Sequence, residues 1–469
     1  MSSDRFDKKF ARQEQNIFAI VNKKRLNGQR ELFMSKETVI SAIDVGSDKI
    51  TTLIASVDNE TRQIRVVGSS TVPSVGVLKS VIVDLEAALG AVEQSLNAAE
   101  RMAGLSIHQA YVSLSGEHIR SQNSTGVVAV ANPEKEITSL DIERVIEAAR
   151  AVSVPPDREI LHVIPRYYKV DSQEGIRDPT HMTGVRLEAE THIITGSSTS
   201  IRNLKKCLND LGIEVQGFVF SALGAAEVTL TETEKELGVV LCDIGASASS
   251  FCAYVDGAIE LSGSIPIGAR HITQDIALGC RLDREVAEKV KVYLSDHGLD
   301  KIKPLPGESK KEFAKRKEDS DIFNLSQLGI SQDKDELSKN YIVKVIMYPR
   351  IQEIVTQLGA IMEKEDLFSK TPAGIVFTGG GSLSIDLVEI SERIMGLPAR
   401  IGQPKQLEGM IAEQQSSLMA VATGLLLYSH RQGSGEELSQ KFNFSEAIKD
   451  LHLDKVGGKA IGLIKKMLP

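Results

Sequence analysis

The feature that most constrains this chain is an apolar run ending in Asp-x-Gly, which occurs twice, at Asp44-Val45-Gly46 and at Asp243-Ile244-Gly245. In both copies a few small or polar residues follow and a second apolar run begins, which predicts two strands joined by a tight hairpin. Such a turn points several backbone N–H groups at one place and suits phosphate oxygens. The carboxylates of Asp44 and Asp243 are placed to hold a hydrated Mg²⁺ ion.

A third segment extends this pattern late in the chain, where an apolar run at residues 374–378 ends in three glycines and a serine. Glycine lets the backbone approach a flat ring closely, and we expect a helix to begin at Ser382. Together the three segments supply the candidate nucleotide-binding residues Asp44, Gly46, Ser47, Asp48, Lys49, Asp243, Gly245, Ala246, Ser247, Gly379, Gly380, Gly381 and Ser382.

One Asp-x-Gly turn alone is common and weak evidence. Two turns about two hundred residues apart, followed by a strand and Gly-Gly-Gly-Ser, resemble the actin, heat-shock chaperone and sugar-kinase superfamily, whose sequence mark is internal duplication at this period. The resemblance implies an α/β, actin-like, two-lobed ATPase fold in which related halves close on one ATP with Mg²⁺.

Composition narrows the class of protein further. A length of 469 residues with 42% hydrophobic residues predicts two to four domains with a large core. The net charge of -8 argues against a general nucleic-acid binder. Four cysteines without CxxC spacing predict reduced thiols, and no apolar run is long enough to predict a membrane-spanning helix.

Between the two hairpins the pattern changes to short alternating strands around one helix, which predicts a compact α+β module at residues 114–193. Three motifs there, Ser113-Leu114-Ser115-Gly116, Leu161-His162-Val163-Ile164-Pro165 and Gln173-Glu174-Gly175-Ile176, are similar to those of the FtsA family of bacterial cell-division actins. The similarity covers roughly residues 38–429.

The resemblance implies a division of the chain into subdomains. Lobe I is expected at residues 36–113 and 194–236, completed by 386–429, with the module at 114–193. Lobe II is expected at 237–270 and 371–385, with a helical partner-binding subdomain at 271–370. We expect residues 1–35 to be a flexible extension, and the alternative is a basic arm that touches a membrane or a partner. Met34 directly precedes the first predicted strand, so a translation start at Met34 is a further alternative.

Glu288 and Lys291 lie three residues apart on one face of a predicted helix. From spacing alone they are a surface ion pair worth a few tenths of a kcal/mol. By resemblance they would lie beside the ribose and adenine of the nucleotide. The following segment, residues 300–335, is rich in charge and predicts a solvated insertion with at most one exposed helix.

A helix is predicted from Asn340, with a kink at Pro349. Lys344 and Arg350 project among its apolar residues, as cations commonly do at a surface. In the FtsA family this subdomain holds the carboxy-terminal peptide of the tubulin-like division protein FtsZ. The resemblance implies that the Arg350 guanidinium would fork onto a carboxylate of that peptide.

The end of the chain predicts a linker at residues 430–454 and an amphipathic helix at 455–469. A basic amphipathic helix suits the interface of an anionic membrane, although it could instead dock on the body or on another subunit. The expected membrane contacts are Lys459, Ile461, Leu463, Ile464, Lys465, Lys466, Met467 and Leu468.

One departure from the family concerns the second hairpin, where Ala246-Ser247-Ala248 stands in place of the usual Gly-Gly-Thr. If the replaced glycine had a positive φ, alanine would cost on the order of 1 kcal/mol, and Ala248 removes a hydroxyl from the phosphates. We therefore expect ATP to bind but to be hydrolysed weakly or not at all.

The resemblance implies an ATP-binding division protein that self-assembles and anchors FtsZ filaments to the cytoplasmic face of the membrane at the division site. Two alternatives are a pilus-assembly adaptor of the same actin-like branch and a metabolic kinase of the superfamily. The kinase would need an acceptor-side base and a sugar pocket, for which the sequence has no dedicated signature.

Overall fold

The computed structural model describes residues 37–132, 136–300, 302–329, 336–411 and 416–434. Lobe I is built on a five-stranded sheet of order β11-β6-β1-β2-β3. Strand β1 pairs antiparallel with β2 and parallel with β6. The elements of lobe I are β1 (Glu37–Val45), β2 (Lys49–Asp58), β3 (Ile64–Pro73), β4 (Val77–Leu78), β5 (Val81–Ile82), α1 (Leu85–Ala103), β6 (Gln109–Leu114), α3 (Ser198–Asp210), β11 (Glu214–Phe220), α4 (Ser221–Thr229) and α5 (Glu232–Leu237).

The inserted module is an antiparallel sheet of order β7-β10-β8-β9 with one helix packed on it. Gly126 lets the sheet and helix approach closely, since a Cβ there would overlap the backbone of Val145 and Ala149. The module consists of β7 (Arg120–Ala129), α2 (Ser139–Arg150), β8 (Arg158–Val170), β9 (Gln173–Ile176) and β10 (Arg186–Ser197).

Lobe II repeats the topology of lobe I. Its sheet has the order β14-β13-β12-β17-β18, with β12 antiparallel to β13 and parallel to β17. The strands β12, β13 and β17 thus occupy the places of β1, β2 and β6. The elements of this sheet are β12 (Val239–Ile244), β13 (Ser249–Val255), β14 (Ala258–Ile265), β17 (Ile375–Thr378) and β18 (Ala399–Ile401).

The helical subdomain follows β14 and contains a feature that the sequence did not predict. Residues Tyr341–Met347 form a π-helical turn, and an α-helix begins at Tyr348 with Pro349 in its first turn. The predicted continuous helix kinked at Pro349 is therefore wrong, since the irregularity lies before the proline. The helices and strands here are α6 (Ala269–Cys280), α7 (Arg284–His297), α8 (Lys310–Asp321), β15 (Ile322–Asn324), β16 (Glu336–Ser338) and α9 (Tyr348–Lys364). Helix α8 buries none of its side chains, as expected for a solvated insertion. The prediction is wrong for the end of the segment, because Phe323 of β15 and the following Leu325 are fully buried in the core of lobe II.

Two predictions about the end of the chain need correction. No helix begins at Ser382, because residues Gly380–Leu383 form a 3₁₀ turn and helix α10 starts only at Leu387. Helix α10 (Leu387–Met395) packs in the core of lobe II rather than completing lobe I from residue 386. Lobe I is completed instead by α11 (Ala420–Ser434), where Gly424 lies directly against the Gly224 carbonyl of α4.

Polar contacts join the inserted module to lobe II. Ser121 donates from Oγ to the Ser262 carbonyl at 2.6 Å, and His192 Nε2 lies 2.8 Å from Ser262 Oγ. Burial lowers the pKa of His192 to about 3, so the imidazole is neutral at physiological pH. The module and lobe II are therefore joined without reliance on a histidine charge.

Candidate functional site

The two Asp-x-Gly hairpins have the same backbone. Gly46 N donates to Lys49 O at 3.0 Å, and Gly245 N donates to Ala248 O at 3.0 Å. A Cβ on either glycine would lie 2.9 Å from that carbonyl oxygen, so both glycines are required by close approach. Among the described residues, neither glycine nor Ala246 or Ala248 has a positive φ. The expected backbone strain at the alanines is therefore absent.

Asp44, Asp243 and Lys49 form a charged group where the hairpins face one another. Burial raises the pKa of Asp44, opposed by the hydrogen bond from Ser113 and by the charge of Lys49. Burial and the neighbouring charge of Asp44 raise the pKa of Asp243 to about 7. A carboxylate whose ionisation is opposed by a second carboxylate nearby, with one cation beside them, is an arrangement suited to a divalent metal ion.

The glycine run is packed directly on the second hairpin. Strand β17 pairs Thr378 with Asp243, and a Cβ on Gly379, whose φ is +78°, would overlap the Asp243 carboxylate. Gly379 N donates to Ser417 O at 3.2 Å, and Lys49 Nζ reaches the neighbouring Leu418 carbonyl at 2.8 Å. The predicted convergence of the three segments at one place is confirmed.

Two serines outside the predicted set support the first hairpin. Ser113 Oγ donates to Asp44 Oδ1 at 2.6 Å and accepts from Val45 N at 3.0 Å. Ser47 Oγ accepts from Ser80 N at 2.7 Å. Ser113 belongs to a motif that carried the family resemblance, so the sequence contained a signal for it. The signal for Ser80 exists only in the folded chain, because residues 47 and 80 meet across a turn.

Ser247 shows that the second hairpin has unused binding capacity. The residue is 6% exposed, and its buried Oγ has no hydrogen-bond partner among the residues that the structure describes. A buried hydroxyl of this kind carries a desolvation cost until a partner arrives. A phosphate oxygen would satisfy it, so the second hairpin fits a nucleotide phosphate.

Family comparisons agree with this geometry. A model of the "SHS2 domain inserted in FTSA" matches residues 116–195, and a model of "Cell division protein FtsA" matches residues 240–424. The cell division protein FtsA of Borreliella burgdorferi is 38% identical over 410 residues, covering 87% of this chain and 93% of that protein. This chain belongs to the FtsA family. The FtsA of Pseudomonas aeruginosa is 34% identical over 402 residues, covering 86% of this chain and 92% of that protein.

Membership of the FtsA family gives the chain an actin-like role in bacterial cell division. A solved PilM-PilN type IV pilus biogenesis complex matches with a TM-score of 0.58 and 13% identity, covering 83% of this chain and 98% of that chain. At this identity the likeness concerns the fold alone. Along the described part of the chain, no helix has both the length and the apolar character needed to cross a bilayer.

Glu288 and Lys291 form the ion pair that their spacing predicts. Lys291 Nζ lies 2.8 Å from the Glu288 carboxylate and 3.1 Å from Thr273 Oγ1. Thr273 lies on α6, less than one turn from Arg270, so the pair is tied to the helix that begins at the second hairpin. The pair is thus held between two helices, and a contact with the ribose or adenine stays a prediction.

Lys344 and Arg350 have different surroundings. Lys344 lies exposed on the π-helical turn, next to Val345, whose side chain is also exposed. The Arg350 guanidinium already binds both oxygens of Asp275, at 2.7 and 3.1 Å, and also Glu353. The predicted fork onto a peptide carboxylate would therefore have to displace Asp275. The predicted linker at residues 430–454 begins too early, because residues 430–434 belong to helix α11. The rest of that linker and the predicted membrane contacts at 459–468 lie outside the described residues.

Proposed function

We propose that the hairpins and the glycine run bind ATP with Mg²⁺, and that ATP holds the two lobes together. The observation that carries the proposal is that both hairpins and the glycine run meet around the partly buried Asp44 and the buried Asp243. In addition, the buried Ser247 hydroxyl has no partner among the described residues. Asp44 and Asp243 would hold the metal ion, which would neutralise charge on the phosphates. Backbone N–H groups of both turns, Ser47, Lys49 and Ser247 would bind phosphate oxygens. In the glycine run the exposed Gly380 would line the base or sugar. Gly379, Gly381 and Ser382 are buried and would support it from behind, with Ser382 Oγ donating to the Gly379 carbonyl.

Hydrolysis is weak or absent in this proposal. The second hairpin carries alanine at 246 and 248 and offers only Ser247 as a side-chain hydroxyl between them. ATP then acts as a ligand that stabilises the closed protein by mass action.

The test is Mg·ATP binding and phosphate release on the purified chain, compared with Gly46→Val. The substituted side chain would strike the Lys49 carbonyl and distort the first turn, because even a Cβ there lies 2.9 Å away. We expect binding by the wild type, phosphate release near background, and loss of binding in Gly46→Val. Gly90→Val is the control for a glycine substitution, since nothing lies within 4 Å of a Cβ at that position. Equal ATP binding by wild type and Gly46→Val would contradict the proposal.

We further propose that the chain tethers FtsZ filaments through their carboxy-terminal peptide. Support comes from the helical subdomain, where Gly279 packs on Ile346 and the adjoining Leu278 and Val345 are 79% and 57% exposed. Lys344, beside Val345, is also exposed, so this surface combines apolar area and positive charge. Such a surface suits a peptide that ends in a carboxylate.

Co-pelleting with FtsZ tests the tether. We expect FtsZ to carry the protein into the pellet, and FtsZ lacking its carboxy-terminal peptide to fail. Lys344→Glu should weaken co-pelleting, whereas Lys364→Glu on a different exposed surface should not. If co-pelleting does not depend on the carboxy-terminal peptide of FtsZ, the result would favour a pilus-assembly adaptor, whose partner peptide binds at another surface.

Membrane attachment is proposed for residues 455–469, on the basis of their sequence pattern. A basic amphipathic helix binds an anionic interface marginally by itself, and self-assembly into filaments would raise the avidity because many anchors act together. Deleting residues 455–469 should abolish sedimentation with anionic liposomes. Unchanged sedimentation of the deletion variant would remove the basis of the anchor. In that case this helix would not be what attaches the protein to the cytoplasmic face of the membrane.

A further inference from the structure

Arg270 is the residue through which lobe II reaches the first hairpin. It is the second residue of α6, and its backbone N–H donates to Ala246 O at 2.8 Å. The preceding Ala269 N donates to Gly245 O at 2.9 Å. A Cβ on Gly268 would lie 2.5 Å from Gly245 O, so only glycine permits this approach. The backbone of Arg270 is therefore fixed to the second hairpin.

The side chain of Arg270 crosses to the other lobe. Its Nη2 donates to Ser47 O at 2.7 Å and to Asp48 Oδ1 at 3.2 Å. The Arg270 side chain is 18% exposed, whereas Asp48 is 68% exposed. One residue thus touches both hairpins, and its partly buried guanidinium meets the exposed carboxylate of Asp48.

Most of the hydrogen-bonding capacity of this guanidinium is unused. An arginine has five N–H donors, and in the described part of the chain only Nη2 of Arg270 has acceptors. The second hairpin has no cation of its own, since Ala248 occupies the place that Lys49 has in the first. Arg270 supplies a positive charge at that hairpin from the neighbouring helix.

We propose that Arg270 is a phosphate ligand that lobe II contributes to the bound nucleotide, and that Asp48 holds it in place until the phosphate arrives. The inference rests on the proposed ATP site. It adds Arg270 as a ligand and makes Asp48 and the phosphate competitors for the Arg270 guanidinium. A phosphate matches the planar fork of the guanidinium and can use the Nε and Nη1 donors. Phosphate then replaces the exposed Asp48, while the Ser47 carbonyl keeps the side chain directed at the first hairpin.

A purely structural clamp between the lobes makes the opposite prediction for one variant. If Arg270 acted only by holding the hairpins together, losing either side of the Arg270–Asp48 pair would weaken nucleotide binding. If Arg270 is a phosphate ligand, Asp48 is its competitor. Removing the Asp48 charge should then leave binding unchanged or strengthen it.

The experiment is calorimetric titration of the full chain with Mg·ATP, ADP and AMP. We expect Arg270→Ala to weaken ATP binding about tenfold to a hundredfold, the range for a lost charge-assisted hydrogen bond. The weakening should shrink from ATP to AMP, since fewer phosphates reach the hairpins. Arg270→Lys should recover part of the affinity, and Asp48→Asn should bind ATP as tightly as the wild type or up to about threefold more tightly.

Arg284→Ala, an exposed arginine at the start of α7, is the control and should bind ATP normally. Weaker ATP binding by Asp48→Asn, or an equal loss for ATP and AMP in Arg270→Ala, would overturn the inference in favour of a clamp. Wild-type affinity in Arg270→Ala would overturn it outright while leaving the ATP site intact. Absence of ATP binding by the wild type itself would instead refute the proposed function. Thermal unfolding of each variant shows whether the fold is retained.

Discussion

The two hairpins share a backbone but are held in place by different means. The first is fixed by side chains: Ser113 binds Asp44, Ser80 binds Ser47, and Lys49 binds the Leu418 carbonyl. The second is fixed by backbone packing, because Gly268, Gly379 and Gly381 all press on it where no Cβ would fit. The two hairpins thus have the same backbone turn, but different kinds of residues hold them in place. The first hairpin carries its own cation, Lys49, whereas the second carries one buried carboxylate, Asp243, and its nearby cation, Arg270, comes from the following helix.

The largest effect should come from the packing on the second hairpin. Gly379→Ala places a methyl group on the Asp243 carboxylate at a φ of +78°, and should cost on the order of 3 kcal/mol or more of unfolding free energy. Gly212→Ala is the matched control, with a φ of +76° and nothing within 4 Å, and should cost about 1 kcal/mol. Urea unfolding measures both variants, and equal losses would show that the packing on the hairpin is unimportant.

A smaller effect should come from the charge of the first hairpin. Lys49→Ala removes the cation between Asp44 and Asp243 and should weaken Mg·ATP binding about tenfold to a hundredfold. Ala248→Ser, at the equivalent place in the second hairpin, should change binding by less than about threefold, the scale of a minor hydrogen bond. Titration calorimetry distinguishes these outcomes. Similar losses of Mg·ATP affinity in both variants would contradict the different roles proposed for the two hairpins.

The buried carboxylate of lobe II predicts two opposite pH trends. The pKa of Asp243 rises from 3.8 to about 7 on folding, so its contribution to stability is present below pH 4 and lost as pH rises through 7. Metal binding needs the ionised form, so Mg·ATP affinity should rise about tenfold per pH unit below 7 and then level off. Asp243→Asn should remove most of the pH dependence of both the unfolding free energy and the Mg·ATP affinity between about pH 5 and 8. A wild-type affinity independent of pH would contradict the metal role of Asp243.

The smallest effects should distinguish two serines. Ser113→Ala breaks the hydrogen bond to Asp44 and should cost about 1 kcal/mol of stability. Ser247→Ala removes a buried hydroxyl without a partner, so stability should hold or improve slightly while ATP affinity falls a few-fold. Thermal unfolding and ATP titration of both variants provide the measurement. A stability loss in Ser247→Ala as large as that in Ser113→Ala would show that Ser247 is already satisfied.

The sequence predicted what local pattern controls. Both hairpins and the strand before Gly379 follow from apolar runs broken at glycine, and the inserted module follows from its change of pattern. The start of α10 was placed five residues early because the 3₁₀ turn at Gly380–Leu383 has no distinct local signature. The π-helical turn at Tyr341–Met347 was missed because its apolar residues also fit an ordinary helix.

Contacts across the lobes could not be predicted in this way. Arg270 meets Ser47 and Asp48 only because two lobes of the same topology face each other. Gly268, two residues before it, lets α6 approach the second hairpin, but no pattern in the sequence pointed to that approach. Arg350 shows the reverse case, where a residue predicted to be available is already paired with Asp275.

Hydrogen exchange with and without Mg·ATP, together with binding stoichiometry, tests most directly whether the hairpins and the glycine run form one nucleotide site. The account predicts one ATP per chain and simultaneous protection of residues 44–49, 243–249 and 378–382. Protection of one hairpin alone, or binding that leaves all three segments unchanged, would contradict it.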